Sequence, residues 1–126
     1  MRTVIDWFEI PASDFDRAVK FYESVLKVQL HHEAADDILS AVFPYEGDAP
    51  SGAVVFNPQF QPSTQGAVVY LGTDGDLNGA LKRVTAAGGT VILPKTSVGD
   101  PGYIALIIDT EGNKVGLHQE KEVARV

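Results

Sequence analysis

The stretch Thr3-Val4-Ile5-Asp6-Trp7-Phe8-Glu9-Ile10-Pro11-Ala12-Ser13-Asp14-Phe15-Asp16-Arg17-Ala18-Val19-Lys20-Phe21-Tyr22-Glu23-Ser24-Val25-Leu26 changes its hydrophobic period midway. Residues 3 to 10 are rich in β-branched and aromatic side chains and stop at Pro11, which has no N–H for a sheet ladder, so they predict a strand. Ser13 followed by Asp16 has the spacing of a capping box. Phe15, Ala18, Val19, Tyr22, Val25 and Leu26 then recur at helical spacing, predicting an amphipathic helix over residues 14–26. Outward from this unit lie three short runs, Val28 to Glu33, Ile38 to Phe43 and Ala53 to Phe56. Turn material such as Ala35-Asp36-Asp37 and Glu46-Gly47-Asp48-Ala49-Pro50 separates them. They predict three strands, and the unit reads β-α-β-β-β.

The order then recurs. Asn57 to Gln65, with Pro58 and Pro62, has the punctuation of a connector. Ala67 to Leu71 reads as a strand. Leu77, Ala80, Leu81, Val84 and Ala87 form a second helical stripe closed by Gly88-Gly89. Thr90 to Leu93, Tyr103 to Ile108 and Lys114 to His118 are three further strands, with hairpin chemistry in Asp109-Thr110-Glu111-Gly112-Asn113. Laying Asp14-Phe15 on Asp76-Leu77 puts Ala18 on Ala80, Val19 on Leu81 and Tyr22 on Val84, an internal duplication of period about 62 residues. The expectation is an α+β fold, one domain over residues 1–126, with modules at about 3–57 and 66–119. Each module would leave one sheet face uncovered, and joining the two would curve a mixed sheet around a shared cavity.

Composition narrows the function classes. The 126 residues suffice for one core, and 44% apolar with 21% charged residues is a globular balance. Ten Lys and Arg against 17 Asp and Glu give a net charge of −7, which disfavours nucleic acid and anionic lipid. Without Cys there is no thiolate ligand, thiol nucleophile or disulfide. The longest apolar run, Tyr103 to Ile108, is too short to span a bilayer, and the chain reads as cytoplasmic.

Three pieces together resemble the vicinal oxygen chelate superfamily, which includes glyoxalase I, bleomycin-resistance proteins and extradiol dioxygenases. They are Phe8-Glu9-Ile10-Pro11 leading through Asp14, Arg17 and Ala18 to Phe21-Tyr22 and Val25-Leu26; Ala86-Ala87-Gly88-Gly89; and the run from Tyr103 to Leu117. The resemblance covers nearly the whole chain. It implies that metal-dependent relatives hold one divalent ion with four side chains, one each from the first and last strand of either module, usually His, Glu or Gln. Carried over, those positions fall on Trp7, Val68, Gly116 and the stretch Ala53 to Phe56. None of these supplies a carboxylate, imidazole or carboxamide, and among their strand neighbours only Asp6 does, so no metal or other cofactor is expected here.

Side chains two apart on a strand share a face. If the superposition holds, Trp7, Glu9, Tyr70 and His118 line the inner surface, an aromatic pocket with one acid and one base, and Gly116 leaves room for a ligand. Tyr103 is expected at the cavity mouth, with Lys95 reaching over it. Simpler readings stand beside these: Trp7 as core, His118 as solvated, and Glu9 paired with Arg17, Lys20 or Lys114. His31-His32-Glu33 alternates across two strand faces and is an unsuitable chelate. Asp109, Gly112 and Asn113 read as turn-makers, and Gly47, Gly52 and Gly66 form no phosphate loop.

Three functions follow from the residues and the resemblance. The favoured one is a metal-free binder of a small aromatic or amphipathic molecule. The second is a lyase, isomerase or dioxygenase, either metal-dependent or using Glu9 and His118 as acid and base. The third is an interaction module with a vestigial cavity. The resemblance also implies a homodimer.

Overall fold

In the computed structural model, which describes residues 3–121, the first module comprises β1 (Trp7–Pro11), α1 (Phe15–Leu26), β2 (His31–Ala35), β3 (Ile38–Val42) and β4 (Ser51–Phe56). The second comprises β5 (Tyr70–Gly72), α2 (Leu77–Ala86), β6 (Thr90–Ser97), β7 (Tyr103–Ile108) and β8 (Lys114–Gln119). Each module forms its own four-stranded mixed sheet, in the orders β1-β4-β3-β2 and β5-β8-β7-β6. A helical crossover starts β2 in the direction of β1, and two antiparallel steps then return β4 parallel to β1; β5 and β8 repeat this.

One apolar core spans both modules. From α1 it takes Ala18, Val19, Phe21, Tyr22 and Val25, from α2 Leu77, Ala80 and Val84, and from the sheets Ile10, Ala41, Val54, Leu71, Ala105, Ile107, Val115 and Leu117. The helices pack on one another, and Arg83 of α2 donates from Nε to the Val25 carbonyl at 3.0 Å, satisfying one of the open carbonyls at the end of α1.

Local hydrogen bonds move several boundaries. The cap of α1 is Asp14 rather than Ser13: its carboxylate accepts the Arg17 amide at 3.1 Å. At the other end Lys27 adopts φ 55°, Val28 donates to the Glu23 carbonyl at 3.3 Å, and Leu30 donates to the Glu23 carboxylate at 2.9 Å. These local partners delay β2 from the expected Val28 to His31. β5 likewise begins at Tyr70 rather than Ala67, while β6 runs on to Ser97 through two register shifts. A side chain in the left-handed region is disfavoured relative to glycine, so Lys27→Gly is expected to raise stability by about 0.5 kcal/mol, read as a higher Tm.

The turn after β7 ties the modules together. Asp109 accepts the Glu111 and Asn113 amides at 2.8 and 2.9 Å, the Asn113 side chain at 3.0 Å and the Tyr22 hydroxyl of α1 at 2.5 Å. Asn113 also donates to the Pro11 carbonyl at 2.7 Å and accepts the Ser63 amide at 3.1 Å. The Glu111 carboxylate accepts the amides of Ser13 and Asp14 at 3.0 and 2.7 Å, the Ser13 hydroxyl at 3.2 Å, the Thr110 hydroxyl at 2.9 Å and Arg17 Nε at 2.7 Å. The residues read as turn-makers do make the turn, and Glu111 carries it across to the start of α1.

Candidate functional site

Sheet register decides what each strand shows to which side. In β1, Phe8 and Ile10 turn toward the helices and the core, which leaves Trp7, Glu9 and Pro11 on the opposite face. In the second sheet Leu71 pairs with Leu117 on the core side, so Tyr70 with Gly116, and Gly72 with His118, lie on the other. Glu9 pairs with Ala53 in the first module as Tyr70 pairs with Gly116 in the second, so Ala53 is the counterpart of Gly116.

The four positions that the family would use for a metal can now be tested for fit. Trp7, Ala53, Val68 and Gly116 offer an indole, two aliphatic groups and no side chain at all. The indole N–H of Trp7 is a donor and is directed at Glu9 Oε2, 3.2 Å away. At Gly116 the space is filled: a Cβ there would collide with the Tyr70 ring, whose Cγ would stand at 2.7 Å. Tyr70 lies across the backbone of Gly116 where a ligating side chain from β8 would project. Among the described residues no three His, Asp or Glu side chains gather as a metal would require. The donor set does not fit the family chelate.

The residues expected to share one cavity are dispersed. Tyr70, 47% exposed, borders a cleft of about 640 Å³ at the seam between the modules. Glu9 borders a second, about 140 Å³, with Lys114 and Asn113. His118 borders a third, about 400 Å³, with Asp74 and Glu120. His118 Nε2 lies 2.6 Å from the Pro101 carbonyl, which can only accept, so this nitrogen carries a proton. The Glu9 carboxylate is met by Trp7, and Arg17 is held by Glu111 instead.

Tyr103 does not join them. It pairs with Gln119 and shares the core-side face with Ala105, opposite Ile104 and His118, and it packs against the core. Lys95 sits over its ring, 4.5 Å from the centroid, so the ammonium is engaged in a cation–π contact rather than reaching over a cavity.

The 640 Å³ cleft is of the size that takes a small organic molecule. Phe8, Leu26, Val28, Phe43 and Pro44 supply apolar wall; Lys27, Arg83, Asp74 and Asp76 supply charge. Of these walls the sequence reading named none as a site residue, because they come from separate segments that only the helix–helix packing brings together. Asp76 caps α2, and the Gly79 amide, against some burial, and then Arg83 hold its carboxyl below the usual value, so it stays ionised at neutral pH.

The comparisons fit this geometry. The family model described as the Glyoxalase/Bleomycin resistance protein/Dioxygenase superfamily matches residues 4–117, and the chain belongs to that family. Among solved structures, glyoxalase I from Zea mays matches with a TM-score of 0.69 and 21% identity over 90% of this chain and 44% of that one. A glyoxylase/bleomycin resistance protein/dioxygenase domain from Frankia sp. EAN1pec matches at 0.72 and 15%, over 95% and 99%. A glyoxalase/bleomycin resistance protein from Albidiferax ferrireducens T118 matches at 0.67 and 18%, over 94% and 100%. The chain thus spans under half of the maize enzyme's length, and at these identities the likeness is one of fold. A search of curated proteins gives no match. Among the described residues no helix is long and apolar enough to cross a membrane.

Proposed function

We propose that this glyoxalase/bleomycin-resistance-like chain is a cytoplasmic, homodimeric protein that binds one small aromatic or amphipathic organic molecule without a metal at the family's four positions. Tyr70 is the platform, and the cleft beside it receives the rest of the ligand. The supporting observation is the Tyr70 ring seated on Gly116: a half-exposed aromatic face stands where a chelating side chain would have to be. A ring resting on backbone is held in place on one side and free to stack on the other. Around it Phe8, Phe43, Leu26 and Val28 add the apolar contact area that small-molecule clefts use.

Calorimetric titration with 2-naphthamide, a neutral planar probe, tests this reading. Saturable binding at one site per chain is expected, and Tyr70→Ala is expected to weaken it about tenfold through the lost stacking area. Equal affinity in the variant contradicts the proposal.

A further inference from the structure

The least exposed charged group of the cleft is a cation, while its acids stand at the mouth. Arg83 is 23% exposed at its side chain, against 54% for its neighbour Asp76, and Asp74 is exposed as well. A guanidinium has five N–H donors in a planar fork. Among the described residues Arg83 uses Nε on the Val25 carbonyl at 3.0 Å and one Nη1 hydrogen toward Asp76 Oδ2 at 3.4 Å. The second contact is longer than the 2.7–2.9 Å expected of a strong charge-assisted bond. Asp76 is meanwhile bonded through Oδ1 to the Gly79 amide at 3.1 Å, so its carboxylate is anchored to α2 and not free to close on Arg83. Among the described residues the remaining donors of the fork have no protein acceptor, in a cleft that also presents Phe8, Val28, Phe43 and Tyr70.

We propose that Arg83 is the specificity-determining residue of this cleft and that its ligand is an aromatic anion, with a carboxylate or sulfonate on the fork and its ring on Tyr70. This rests on the binding reading above and adds the charge of the ligand. The formal charges of the lining balance, Lys27 and Arg83 against Asp74 and Asp76, so discrimination comes from depth rather than net charge. An anion that reaches the inner end meets unused donors in a partly dehydrated setting, where such bonds are strong. An ammonium on the same ring meets like charge there and finds carboxylates only at the solvated rim.

The test compares three probes built on one ring: 2-naphthoate, 2-naphthamide and 2-naphthylmethylammonium, titrated calorimetrically into the full chain. Naphthoate is expected to bind about tenfold tighter than the amide and the ammonium weaker than both. Arg83→Gln is expected to abolish the gap between naphthoate and amide. Arg83→Lys, which keeps the charge but loses the fork, is expected to retain only part of it. Comparing the three probes on the wild-type chain alone keeps the test decisive if a variant fails to fold. Equal affinity for naphthoate and amide overturns the assignment to Arg83 and leaves the Tyr70 platform standing, as does a gap that survives Arg83→Gln. Failure of all three probes to bind overturns both.

Discussion

Glu111→Ala is expected to lower the unfolding free energy by about 3 kcal/mol, close to 10 °C in Tm for a domain of this size. The carboxylate has no exposed surface and serves five donors, among them two backbone amides at the entry to α1. Truncation leaves those amides unpaired and frees Arg17, whose 51% exposed side chain can return to water, so the cost stays below that of breaking a fully buried ion pair. The same group sets an acid limit. Burial alone would raise its pKa, but the hydrogen bonds from Arg17, Asp14 and Thr110 and the charge of Arg17 outweigh burial and hold it at about 2, against 4.5 for the free group. A carboxyl with a depressed folded-state value contributes its stability in full above pH 4.5 and loses it as pH falls through 2. That contribution is at most about 3 kcal/mol, reduced by the solvent around Arg17. Chemical denaturation at a series of pH values should show the wild type losing stability between those limits more steeply than Glu111→Gln. Parallel curves would mean that the pair contributes nothing.

The second large effect concerns binding rather than stability. Gly116→Ala places a methyl group inside the volume of the Tyr70 ring. The ring is the outer end of a half-exposed side chain and can swing away at small cost to the fold, so Tm should change little. The stacking surface moves with it, and affinity for 2-naphthamide is expected to fall by up to about tenfold. An unchanged affinity would show that the ring's seat on β8 is irrelevant to the ligand.

Most of the fold was legible because it is written in local periodicity. The 3.6-residue stripe Ala18, Val19, Tyr22, Val25 and its echo Leu77, Ala80, Val84 are the buried faces of the two helices, and Tyr103–Ile108 is a strand with the expected bounds. The start of β2 was not legible, since Glu23 satisfies the backbone after α1 through its side chain, a choice that hydrophobic pattern does not encode. Tyr103 required the register of the last hairpin: the turn at Asp109–Asn113 pairs it with Gln119, and with that pairing fixed it falls on the face of Ala105 and Leu117. Glu111 looked like part of a turn because its partners at the start of α1 lie 94 to 98 residues away. The pair Tyr70 and Gly116 could be placed on one strand face from parity alone. The contribution of Arg83 depends on the packing of α2 against the end of α1, and no spacing in the sequence reveals it.

In the proposed function an aromatic surface at the seam of the modules, and no chelated ion at Trp7, Ala53, Val68 and Gly116, holds the ligand. Titrating 2-naphthamide into the protein before and after exhaustive treatment with a chelator tests it most directly. One site per chain with the same affinity in both samples is predicted; binding that vanishes on chelation and returns with one equivalent of a divalent metal would contradict it.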